Sequence, residues 1–193
     1  MSARSTTAIV IACGLLSVGS AHAQSAQPWS VQASFLGASQ KIGDNAIAGS
    51  GFEGQVRYTT AGLWSFGLGY QYTRHVSGAD EIDISGVFLE PRLTIDVGSD
   101  RIAPYLAGRV AFLHESLSLG AYPGSAFSSN GSAFGAGAGL LIRATKTINF
   151  DFGAAFVRQS FSDATSGSNT ATLPAFTGYV AKGGVSIGFG SRR

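Results

Sequence analysis

Residues Ala175 to Phe189 read A-F-T-G-Y-V-A-K-G-G-V-S-I-G-F. Counted back from the end, one set of alternate positions holds Phe189, Ile187, Val185, Gly183, Ala181 and Tyr179. The set between them holds Gly188, Ser186, Gly184, Lys182 and Val180. A period of two is that of a β-strand, whose successive side chains point to opposite faces. One face is oily, and the other is mostly small or polar and carries a lysine.

The same two-sided pattern recurs upstream. Trp29, Val31, Ala33 and Phe35 alternate with Ser30, Gln32 and Ser34, and Phe52, Gly54, Val56 and Tyr58 alternate with Glu53, Gln55, Arg57 and Thr59. Trp64, Phe66, Leu68, Tyr70 and Tyr72 against Ser65, Gly67, Gly69, Gln71 and Thr73 is the cleanest case, and it argues for one face in an apolar medium. In the fourth segment Ile82 and Ile84 share one phase while Val87, Leu89, Leu93 and Ile95 take the other. A β-bulge near Ser85-Gly86 would reconcile them, and it would put Glu81, Asp83, Glu90 and Arg92 together on the polar face. Pro91 then falls on the apolar face. A fifth segment sets Leu106, Val110 and Phe112 opposite Arg109 and Glu115. A sixth sets Phe134, Ala136, Ala138, Leu140 and Ile142 against Gly135, Gly137, Gly139 and Arg143. A seventh sets Ile148, Phe150, Phe152, Ala154 and Phe156 against Asn149, Asp151 and Gly153. With the closing strand this makes eight.

The links between segments alternate long and short. Ser39–Ser50, Ser116–Ser132 and Ser162–Thr172 are long and rich in small polar residues, whereas Thr60-Ala61-Gly62 and Ala144-Thr145-Lys146 are tight. That asymmetry, with segments of roughly 9–14 residues, is expected of an eight-stranded antiparallel up-and-down transmembrane β-barrel over residues 24–193.

Residues 1–23 read as a signal peptide. Arg4 supplies the positive start, Thr7 to Val18 the apolar run, and Ala21-His22-Ala23 the cleavage site. Cleavage there would remove Cys13, the only cysteine, and with it any disulfide or thiolate metal site. Val10-Ile11-Ala12-Cys13 also resembles a lipoprotein box, but the apolar run continues past it through Leu15, Leu16 and Val18. Charged residues are 12% of the 193-residue chain, against roughly 25% in a typical soluble protein, too few to clothe a water-facing exterior. The net charge is +2 and the basic residues are scattered, so no nucleic-acid footprint is expected.

Alternation alone does not say which face is outside; the distribution of charge does. The strand-borne ions collected on the polar face are six acids (Glu53, Glu81, Asp83, Glu90, Glu115 and Asp151) and five bases (Arg57, Arg92, Arg109, Arg143 and Lys182). Near-balance suits an enclosed space, because an isolated buried ion costs several kcal/mol. The expectation is a lumen plugged by ion pairs and hydrogen bonds in a barrel too narrow for a channel. Trp29, Tyr58, Trp64, Tyr72 and Phe189 near strand ends would form aromatic girdles.

Lys182, Gly184, Ile187 and Phe189, followed by Gly190-Ser191-Arg192-Arg193, resemble the C-terminal signal read by the outer-membrane assembly machinery. With V-F-L-E-P-R-L-T-I-D around Arg92 and P-Y-L-A-G-R-V-A-F from Pro104 to Phe112, the chain resembles the small outer-membrane β-barrel family. That family includes the outer membrane protein A barrel domain and the opacity-type surface proteins. The resemblance implies a Gram-negative outer-membrane location among lipid and lipopolysaccharide. It also implies loops that meet host or cell-surface ligands, and no catalytic residues or cofactors. A small pore is the alternative.

One enzymatic pattern competes. His114-Glu115-Ser116 resembles the His-x-Ser of outer-membrane lipid A deacylases, in which histidine activates the serine and an acid orients the histidine. Here Leu117 stands where those enzymes have asparagine, and no glutamate follows Glu115. No clustered metal ligands appear.

Overall fold

The computed structural model describes residues 27–42, 45–120, 126–166, 169–171 and 175–191. The leader, with Cys13 and His22, lies outside them. Eight long strands form the wall: β1 (Trp29–Ile42), β2 (Asn45–Thr59), β3 (Trp64–Ser77), β4 (Asp80–Thr94), β5 (Ile102–Ser118), β6 (Ala126–Arg143), β7 (Ile148–Phe161) and, after two three-residue strands β8 (Ala164–Ser166) and β9 (Asn169–Ala171), β10 (Phe176–Phe189). Each pairs antiparallel with its neighbour, and β1 pairs β10 from Trp29↔Phe189 to Lys41↔Thr177, so the first strand meets the last and no long edge is left open. Among the described residues no helix is long and apolar enough to cross a membrane.

The wall is oily outside. Phe66, Leu68, Phe152 and Ile187 are 45, 64, 51 and 50% exposed, while Ser30, Gln32, Glu53, Arg57, Glu90, Arg92 and Asp151 on the alternate positions are buried. The aromatic ends pair across strands, with Trp29 and Tyr58 ring centroids 4.9 Å apart at the end bearing the short turns and Phe52 and Tyr72 5.5 Å apart toward the other.

The fourth strand differs from the expectation. Its pairing with β3 runs unbroken from Trp64↔Leu93 to Ser77↔Asp80, with no bulge at Ser85-Gly86. Every even position therefore points inward, so Ile82, Ile84 and Phe88 are buried with Glu90 and Arg92, and Glu81 and Asp83 lie outside. The physical reason is that the wall continues past the oily band into water. There the outward positions turn polar (Lys41, Arg74, Glu81, Asp83, His114, Ser128, Arg158) and the inward ones turn apolar. Asp83 accepts hydrogen bonds from Tyr72 Oη at 2.7 Å and Arg74 Nε at 2.9 Å, and Arg74 also reaches Glu81 at 3.1 Å.

The same extension shortens the expected loops. Strands β5 and β6 pair from Ile102↔Ile142 as far as Ser118↔Ala126, which turns most of the Ser116–Ser132 link into hairpin. Pro91 is accommodated by a gap in the ladder, since the β4–β5 pairing passes from Leu89↔Val110 to Arg92↔Ala107.

Candidate functional site: the filled lumen

Inward positions of four strands, β2, β4, β5 and β10, converge on one carboxylate. Glu90 on β4 meets Arg57 Nη2 at 2.8 Å, Arg92 Nη2 at 2.7 Å, Lys182 Nζ at 3.1 Å and Arg109. Glu53 on β2 takes Arg109 Nη2 at 2.7 Å and Lys182 Nζ at 3.1 Å, and Asp151 on β7 takes Arg92 Nη1 at 2.7 Å. Of the eleven ions expected on the polar face, seven are thereby joined in the lumen: Glu53, Arg57, Glu90, Arg92, Arg109, Asp151 and Lys182. Glu115 stands six residues beyond Arg109 on β5, about 20 Å along the strand at 3.4 Å per residue. Arg143 sits at the opposite end of β6, its backbone N–H donating to Arg101 O at 2.7 Å.

Two aromatic rings that the sequence reading passed over, with the amide of Gln71, complete the cluster. Tyr105 Oη donates to Asp151 at 2.6 Å, and its ring lies 4.1 Å from the Arg92 guanidinium carbon. The Phe88 ring lies 4.0 Å from that of Arg109, and Gln71 accepts from Arg109 Nη1 at 3.0 Å. Flat guanidinium planes stacked on rings are stabilised without demanding further acceptors. Tyr105 shares the phase of Arg109 four residues on, so strict counting of alternate positions would have found it. Its ring needs bare backbone opposite: a Cβ at Gly139 would run into it, and one at Gly153 would stand 2.7 Å from its hydroxyl.

Above the ions, toward the long hairpins, the lumen becomes apolar. Ile82, Ile84, Phe88, Ala111, Leu113, Ala133, Val157, Phe161 and Phe176 pack together there. Between the two zones lies a cavity of about 40 Å³, walled by Ala107, Ala111, Gly135 and Gly137 beside Arg109 and Lys182.

Still higher, where the outer positions are already polar, Glu115 and His75 are buried, and Glu115 Oε2 has no hydrogen-bond partner among the described residues. Burial pushes the Glu115 carboxyl up to about 7 and holds the His75 imidazole below its ordinary value. Burial also raises Asp83 on the outer wall, but the hydrogen bonds from Arg74 and Tyr72 outweigh it, and its pKa lies below the usual value.

The His114-Glu115-Ser116 pattern does not assemble. His114 points outward, 3.0 Å from Asn130 Oδ1, while Glu115 points into the lumen, so the acid lies on the opposite face of the sheet from the imidazole it would orient. No group of three or more metal-ligating side chains occurs among the described residues.

A closed eight-stranded wall that presents oil outward and ions inward is a membrane β-barrel fold, the inverse of a soluble one. No known family model matches the chain, and no curated protein matches it. Among solved structures it is similar to Neisserial surface protein A, at 16% identity over 84% of this chain and 97% of that one, with a TM-score of 0.66. It is also similar to Ail, the attachment invasion locus protein of Yersinia pestis, at 15% identity over 82% of this chain and 97% of that one, with a TM-score of 0.51. Ail in complex with the heparin analogue sucrose octasulfate gives a TM-score of 0.53 at the same identity and coverage. At such identities the likeness is one of fold: this chain has the fold of the small eight-stranded outer-membrane barrels.

Proposed function

We propose that the protein is an integral outer-membrane barrel of a Gram-negative bacterium, closed to ions, that acts in envelope integrity or surface interaction through its long hairpins. The observation carrying this reading is the double stopper: a network of seven charged side chains, none more than 11% exposed, with an apolar plug of nine side chains stacked beyond it. An ion crossing the barrel would have to break several charge-assisted contacts and then desolvate among isoleucines and phenylalanines.

The apolar exterior supports outer-membrane lipid as its surroundings. The polar outer wall beyond it, with Lys41 and Arg158 exposed, supports contact with lipopolysaccharide headgroups or a cell-surface ligand. In this reading residues 1–23 direct export, and Lys182, Gly184, Ile187 and Phe189 present the closing strand to the assembly machinery.

Planar-bilayer recording tests the closed lumen. The purified barrel is expected to give no discrete current steps, and steps that persist in single insertions would make it a pore. Replacing each long hairpin by a short turn, with folding checked by gel mobility, is expected to reduce attachment of expressing cells to host surfaces without changing membrane insertion.

A further inference from the structure

The seven-membered network does not balance. Glu53, Glu90 and Asp151 bring three negative charges to four positive ones on Arg57, Arg92, Arg109 and Lys182, none of whose side chains is more than 11% exposed. The next acid on β5, Glu115, is separated from Arg109 by the buried apolar Ala111 and Leu113. The imbalance is visible at a single atom. Oε1 of Glu90 receives Arg57 Nη2, Arg92 Nε and Lys182 Nζ at 2.8, 2.8 and 3.1 Å, with Arg92 Nη2 at 2.7 Å besides. One carboxylate oxygen, with two lone pairs, is asked to serve three cations.

A second, independent feature lies on the far side of the two arginines. Toward the short-turn end, Arg57 and Arg92 form one wall of a cavity of about 30 Å³ that includes Ser65, Thr94, Asn149 and Ser186 and contains no carboxylate. Arg57 Nε is buried and has no hydrogen-bond partner among the described residues, although Nη1 and Nη2 of the same guanidinium are engaged by Ser65, Gln55 and Glu90. Hydroxyls and amides can turn an N–H or O–H toward a negative guest, and two guanidiniums supply the field. A space of this size on a water-probe scale holds about two water-sized particles, so it admits a monatomic anion.

We propose that this hydroxyl-lined cavity binds one small inorganic anion of the halide class, held by Arg57 and Arg92, which supplies the missing negative charge of the lumen. The inference rests on lumen geometry and is independent of any surface role. The anion is a structural ligand: it completes the ion lattice below Glu90 and thereby stiffens the half of the barrel that carries the short turns.

The test uses the full barrel folded in an uncharged detergent. Thermal unfolding is compared in sodium chloride, sodium bromide and sodium gluconate at equal ionic strength, so that general screening is held constant. The midpoint is expected to be higher in either halide than in gluconate, with a saturable dependence on halide concentration. Arg57→Gln, which brings the network to three charges of each sign, is expected to abolish that difference, while Arg74→Gln on the outer wall leaves it intact. Anomalous diffraction from bromide-grown crystals of the unaltered protein is expected to show one peak between Arg57 and Arg92, a readout that does not depend on the variants folding. Identical midpoints in all three salts, with no peak in the cavity, would overturn the proposal.

Discussion

Glu90 and Glu115 are both buried glutamates on neighbouring strands, and their surroundings give them opposite roles. Four cations surround Glu90, so removing its charge leaves buried cations competing for Glu53 and Asp151 alone. Breaking a buried pair on one side costs about 3–5 kcal/mol. Glu90→Gln should therefore lower the urea stability of the barrel in lipid vesicles by that order, and a loss below about 1 kcal/mol would mean the contacts are dispensable. Glu115 has no cation partner among the described residues, and burial pushes its carboxyl up to about 7 in the folded chain against 4.5 when exposed. The folded state thus holds its proton more tightly than the unfolded one. That contribution is complete below pH 4.5 and disappears as the pH rises to 7, where ionising Glu115 opposes folding by up to about 3 kcal/mol. His75 works in the other direction, because its lowered value withdraws stability as the pH falls through about 6.5. Unfolding midpoints measured from pH 4 to 8 should show Glu115→Gln more stable than the parent at pH 8 and equal to it at pH 4. Parallel profiles would show that the carboxyl is not held in an apolar setting.

At the scale of the strand, the deciding fact is that orientation and polarity are separate variables. The register of β3 and β4 is fixed by their unbroken pairing, but which face is oily changes along their length as the surroundings change from hydrocarbon to water. Leu68 lies midway along the outer row of β3 and Val76 near its polar end, and they are 64 and 57% exposed. An arginine at a barrel's mid-plane lipid face costs about 2–4 kcal/mol and near the interface about 0–1. Leu68→Arg is expected to destabilise the folded barrel by the larger amount and Val76→Arg by the smaller, as read by denaturant titration in lipid vesicles. Equal costs at the two sites would place the oily band elsewhere.

Considered whole, the molecule is a cylinder whose first and last strands are joined by the thirteen-pair contact of β1 with β10. Closure leaves no long exposed edge, so the wall is expected to resist detergent unless heated. Unheated and boiled samples should therefore run at different apparent sizes on a denaturing gel, with the protein released from membranes by detergent and not by salt. Recovery in the soluble fraction would contradict the fold's inside-out character.

Strict alternation, two tight links and a charge census let the sequence determine an eight-stranded barrel with ions within, because side-chain direction in a strand depends only on position along it. The phase of β7 and β10 and the inward placement of Glu53, Arg57, Arg109 and Lys182 follow from that local rule. Which ions meet was decided only by the tertiary structure, since Arg92 reaches Asp151 and Lys182 reaches Glu53 through the shear of a closed wall, over 59 and 129 positions of chain. Folding also decided that Ile82 and Ile84 face inward and Asp83 outward. A pattern of oily and polar residues records contrast between faces, and only the position of the bilayer along the cylinder says which medium each face meets.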